Sequence, residues 1–192
     1  KKNISLIVFF DKPESVFEEL VQKHDITSIF TQKEWTTEEI ESNNSIKNKI
    51  PNVELIEIYD QFLFHPDDIP YSDFNKIPAI FTEFRKKTEK ESRVRKTVTI
   101  KQKTIENLVD DTTSIPTLND LGFEEFMMDK NTAFPFFGGE NQALKRIENY
   151  FFETKILSKY KKTRNGLIGS DYSSKLSAWL ANGSISPRTI YW

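Results

Sequence analysis

Residues 160–192 read YKKTRNGLIGSDYSSKLSAWLANGSISPRTIYW, and this stretch says more about the chain than the rest together. Ser173, Ser174, Lys175 and Ser177 gather hydroxyls and an ammonium at the predicted start of a short apolar helix, whose first backbone N–H groups lack partners within the helix. Leu176, Trp179 and Leu180 recur at i, i+3 and i+4, so one face is expected to turn toward a core while Gly183 ends the helix. The polar end then faces a ligand. Just upstream, Tyr160, Lys161, Lys162 and Arg164 combine a ring with fixed cations, the groups a dinucleotide needs.

Upstream the pattern changes. ISLIVFF (4–10) is a continuous apolar, β-branched and aromatic run, predicted as a strand buried on both faces of a parallel sheet. Pro13 then opens a helix with Val16, Phe17, Leu20 and Val21 on one face, and ITSIF (26–30) reads as the next strand, giving a βαβ unit. Thr36 and Glu39 form a capping-box pattern before a more polar helix that ends near Ile50 and Pro51, and VELIEIY (53–59) supplies a third strand. From Asp60 to Ile80 the prolines at 66, 70 and 78 block long helices, and a charged helix is expected over Thr82 to Glu91. Residues 92–116 have no sustained period and close on Pro116, as a linker does. A short helix near Leu118 and a Phe-rich loop (Phe134 to Phe137) follow. Gly138 and Gly139 then lead into a helix whose Ala143, Leu144, Ile147, Tyr150 and Phe151 mark a buried stripe.

Composition narrows the chemistry. The 192 residues contain no cysteine, which removes disulfides, thiolate metal sites and a cysteine nucleophile together, and His24 and His65 are too few for a histidine-based metal cluster. No apolar run approaches the roughly 20 residues that span a bilayer, and the first residues lack the features of a secretory signal, so the expected location is cytoplasmic. Charge is uneven: residues 1–80 carry eight basic and fifteen acidic groups, residues 151–192 seven and two. A basic end beside a candidate phosphate site suits a pyrophosphate ligand and a polyanionic partner.

Three other features read as ordinary structure. His65-Pro66-Asp67-Asp68 is expected to be a solvated turn rather than a metal site. Gly138-Gly139 lacks both the P-loop lysine and the dinucleotide glycine spacing and reads as a helix entry. The basic run from Arg85 to Lys103 alternates with Glu, Thr and Val, as a solvated helix and linker would.

TRNG, then DYSSKLS, WLA and SPR in that order, resembles the flavin-binding stretch of the cryptochrome/DNA photolyase family, most closely its DASH branch. Upstream, LFHPDDIPY (63–71), IPAIFTEFRK (77–86), IPTLNDLGF (115–123) and FGGENQALKRIENYF (137–151) follow the family's order, so the resemblance spans most of the chain. It implies an α/β class: a partial parallel-sheet, antenna-type domain over residues 1–91, a linker over 92–116, and over 117–192 the first helices of an all-α FAD-binding domain. It also implies an internal fragment of a longer protein, with the remainder of the parent chain as a partner.

Carried over residue by residue, the resemblance assigns FAD contacts to Tyr160, Ser173, Ser174, Lys175, Leu176 and Ser177. Ala178 stands where the DASH pattern usually has proline. A folate antenna, methenyltetrahydrofolate, would meet the segment TQKEWTTEE (31–39), where Glu34 keeps an acidic charge and Lys33 and Trp35 depart from the pattern. Lys161 and Lys162 are candidates for contact with DNA, single-stranded or lesion-containing. For the full protein the implied activity is light-driven splitting of cyclobutane pyrimidine dimers by electron transfer. The competing readings are a non-repairing photosensory or nucleic-acid-binding cryptochrome and a free-standing nucleotide-binding module.

Overall fold

The computed structural model describes residues 5–99, 108–109 and 113–192. The chain divides into two compact units, Lys1–Asp60 with Val98–Glu125 and Gln61–Thr97 with Phe126–Trp192.

The first unit is built on helix α1 (Pro13–Lys23), strand β1 (Ser28–Gln32), helix α2 (Thr37–Lys49) and strand β2 (Glu54–Ile58). Pro13 sits in the first turn of α1, where its missing N–H costs nothing. β1 and β2 pair in parallel with Ser28 opposite Glu54 and Gln32 opposite Ile58, and α2 makes the crossover that a parallel pair requires. Ile29, Ile46 and Ile50 are buried, with Phe17, Val21, Ile26, Val53 and Leu55 packed around them. Thus α1 and α2 cover one face of the pair. Beneath α2, Glu57 accepts from Asn43 Nδ2 at 3.0 Å and from Lys47 Nζ at 2.5 Å, tying the crossover helix to β2.

Two expectations for this unit are corrected. Residues 5–10, from the run ISLIVFF, form no strand, and Leu6 and Phe10 are exposed; residue 4 lies outside the described residues. A strand buried on both faces needs ladder partners. Here Ser5 Oγ donates to the Val109 carbonyl and the Val8 N–H to Thr113 Oγ1, a side chain. The βαβ unit is therefore β1–α2–β2. Thr36 does cap α2, but its side chain accepts no N–H, so the reciprocal bonds of a capping box are not made.

The second unit begins with 3₁₀ turns at Pro66–Asp68 and Phe74–Lys76 and continues into helix α3 (Phe81–Glu91). His65 Nδ1 accepts the Asp67 N–H, and Asp68 takes a two-pronged ion pair from Arg95 at 2.6 and 2.8 Å, so the HPDD turn is anchored rather than merely solvated. The Arg95 guanidinium holds the Asp68 carboxyl below its ordinary range. Helix α4 (Glu140–Ile147) starts at Gly139, whose φ of +94° admits glycine at little cost, and passes into a π-helical segment, Glu148–Glu153. Short helices α5 (Tyr160–Thr163), α6 (Ser177–Ala181) and α7 (Pro187–Tyr191) follow. Ser186 Oγ accepts the Arg188 N–H at the start of α7.

The core of this unit centres on Trp179, 1% exposed, with Ala143, Leu176 and Ile185. Phe134 and Phe136 lie 5.3 and 5.6 Å from the Trp179 ring, and the indole N–H donates to the Phe137 carbonyl at 3.0 Å. The Phe-rich loop is thereby a wall of the core. Leu180 points outward, leaving Leu176 and Trp179 to bury the face of α6, and Gly183 follows the helix at φ +71°. The expected stripe on α4 is also corrected, because Leu144 is 41% exposed and the buried line runs through Ala143, Arg146 and Tyr150. Near Leu118 the first unit has a turn instead of a helix, closed by Thr117 N–H and Oγ1 donating to Asp120. Among the described residues no helix is long and apolar enough to cross a membrane.

Candidate anion site

The segment from Ser170 to Ser177 leads from an irregular turn into α6. Ser173, Ser174 and Lys175 are half-buried, Leu176 is buried and Ser177 is exposed. Lys175 has φ +63°, a left-handed conformation that costs a non-glycine residue about 1–2 kcal/mol. Leu176 returns to the right-handed helical region, and successive backbone N–H groups in a turn of this kind can form an anion-binding concavity. Lys175 Nζ lies 3.5 Å from the centre of the Tyr172 ring, beside the same turn. Gly166 allows that ring its place, since a Cβ there would stand 2.9 Å from Tyr172 Cβ.

Arg146 organises this turn. Its guanidinium, on a residue 5% exposed, donates to the carbonyls of Ser170, Ser173 and Ser174 at 3.0–3.1 Å and to Asp171 Oδ1 at 2.8 Å. Phe136 and Tyr150 cover it, with ring centres 4.9 and 4.8 Å from the guanidinium carbon. Burial pushes the Tyr150 phenol above its ordinary range, the Arg146 charge opposes that, and Tyr160 and Asp171 add to it. Tyr160, 39% exposed, stands at the start of α5, followed by exposed Lys161 and Lys162.

Structure thus brings Ser173, Ser174, Lys175, Leu176 and Ser177 into one turn. Sequence reasoning missed Arg146. Its signal was present: a cation at i+3 from Ala143 and i−4 from Tyr150, in line with the apolar stripe.

In the first unit, Glu34 follows β1, on the carboxyl side where ligands of open parallel sheets bind. Its carboxylate accepts from the Gln32 side-chain amide. Lys33 lies 5.0 Å from the Tyr59 ring centre and Trp35 meets that ring edge-on at 5.6 Å.

The chain thus joins a parallel β–α–β unit to a helical unit that carries the serine- and lysine-bearing turn, a mixed α/β architecture. The sequence model for DNA photolyase matches residues 1–104, more than half of the chain, and the chain belongs to that family. Within it the chain is similar to cryptochrome DASH: it is 37% identical to the Xenopus laevis protein over the whole of this chain and 37% of that one. It also resembles a Synechocystis cryptochrome structure, with TM-score 0.82 and 32% identity over 94% of this chain and 38% of the other. An archaeal photolyase from Sulfolobus tokodaii, solved with two FAD molecules, shares the fold at TM-score 0.62 and 20% identity over 96% of this chain and 37% of that one. The chain spans a little over a third of the length of these relatives.

Proposed function

We propose that the chain is part of a DASH-like cryptochrome/photolyase in which residues 173–177 hold the pyrophosphate of FAD and Tyr160 closes on the cofactor. In this reading residues 1–91 belong to the antenna-type domain, 92–116 to the linker and 117–192 to the first helices of the FAD-binding domain. The observation that carries it is the turn itself: Ser173 and Ser174 run directly into Lys175, whose backbone is left-handed, a donor set matched to a pyrophosphate. The charge of Arg146 is spent on carbonyls and Asp171, and Lys175 is the proposed cation for the ligand.

FAD, when bound and reduced, supplies the light-driven electron that splits a cyclobutane pyrimidine dimer. This chain's share is to bind and orient that group while the protein tunes its electrostatics. DNA, single-stranded or carrying a flipped-out lesion, is the proposed partner, and exposed Lys161 and Lys162 are its proposed contacts in this chain. Glu34, two residues beyond β1, is the proposed contact for a folate antenna.

The test is Ser174→Ala combined with Lys175→Ala in the full-length protein. Each charge-assisted contact is worth about 1.5–3 kcal/mol, so the purified variant should lose much of its flavin absorbance. Undiminished flavin would end the assignment of this turn.

A further inference from the structure

We propose that Arg146 is a positioning residue that holds the 170–175 turn in its anion-binding conformation before any ligand arrives. The proposal rests on reading that turn as the pyrophosphate site of FAD. A guanidinium has five N–H donors, and burying it is costly unless they are used. Arg146 uses them on five acceptors: Nε on the Ser174 carbonyl, Nη2 on those of Ser170 and Ser173, and Nη1 on Asp171 Oδ1 and, at 3.5 Å, Asn149 Oδ1. Four of these acceptors lie within residues 170–174.

The consequence follows from peptide geometry. In a planar trans peptide the C=O and the next N–H point in opposite directions. With the carbonyls of Ser173 and Ser174 drawn toward Arg146, the N–H groups of Ser174 and Lys175 are turned away from it. The same restraint on the Ser174 peptide holds Lys175 in its left-handed conformation, which a free loop would leave. Phe136 and Tyr150, on the guanidinium, deny Arg146 other arrangements. Lysine cannot replace it, because an ammonium has three donors and no planar fork. Without Arg146 the turn is competent only part of the time, and apparent affinity falls by that fraction.

The experiment compares wild type, Arg146→Lys and Asp171→Asn in the full-length protein stripped of flavin. Titrations with FAD, ADP and riboflavin are read against far-UV circular dichroism and thermal melting. FAD and ADP carry the pyrophosphate and riboflavin does not. Arg146→Lys should weaken FAD and ADP alike, by roughly tenfold or more, while riboflavin changes by less than about twofold. Asp171→Asn, whose side chain is 54% exposed, should show the same selective pattern at smaller size, and it carries the comparison if Arg146→Lys does not fold. ADP binding equal to wild type, or equal losses for all three ligands, overturns the positioning role. A wild type that binds riboflavin but not ADP overturns the pyrophosphate reading itself, and this proposal with it.

Discussion

Replacing Lys175 by glycine separates what the 173–177 turn contributes to folding from what it contributes to binding. The left-handed φ of +63° costs lysine about 1–2 kcal/mol, which glycine does not incur. Against this, glycine's extra freedom in the unfolded chain takes back about 0.4–1 kcal/mol. Loss of the ammonium over the Tyr172 ring removes about 0.5–1 kcal/mol more. The three nearly cancel, so the folded state should change by no more than about 1 kcal/mol. Binding has no such cancellation. Removing one charge-assisted contact to a pyrophosphate, about 1.5–3 kcal/mol, raises the Kd for FAD between roughly tenfold and somewhat over a hundredfold. Urea unfolding of the full-length apoprotein gives the first quantity and flavin fluorescence titration the second. A Lys175→Gly protein that is as stable as wild type and binds FAD equally well would refute the reasoning, and so would one whose stability falls by several kcal/mol.

Trp179→Ala removes the centre of the second unit's core and should cost about 3–5 kcal/mol in urea unfolding; a shift no larger than that of an exposed substitution would contradict the packing described. Lys161→Glu with Lys162→Glu should flatten the salt dependence of oligonucleotide binding by the full-length protein, since each lost phosphate contact lowers the slope. An unchanged slope would place both lysines away from nucleic acid. Glu57→Gln tests the tie between α2 and β2: the hydrogen bond from Lys47, then that from Asn43, holds this carboxyl below the ordinary glutamate range, against a burial effect of opposite sign. A depressed pKa stabilises the fold above the pKa of the unfolded chain and stops doing so as pH falls through the folded one. The stability gap between wild type and variant should therefore be full near neutral pH and shrink in acid, and a gap independent of pH would show that Glu57 gains nothing from its charge.

The sequence alone was enough to locate most of the elements and the residues of the candidate site. Apolar periodicity located α1, α4 and α6, because an amphipathic helix advertises its buried face at i, i+3 and i+4, while start and stop residues located the more polar α2. Short β-branched runs located β1 and β2 to within two residues. The ordered serine and lysine motif at 173–177 was legible because short-range spacing sets helix starts and turns. What tertiary structure decided were the long-range pairings. The run at 5–10 has the composition of an inner strand, but a strand exists only where neighbouring backbones complete its ladder, and its described hydrogen bonds go to Val109 and Thr113. Leu144 fits the helical stripe and is exposed, whereas Arg146 looks like surface and is buried, because 28 residues later the chain brings back the carbonyls that satisfy its guanidinium. No local pattern encodes that return. Sequence named the donors of the anion turn; the conformation that aims them depends on hydrogen bonds between α4 and residues 170–174, and only the folded chain brings these together.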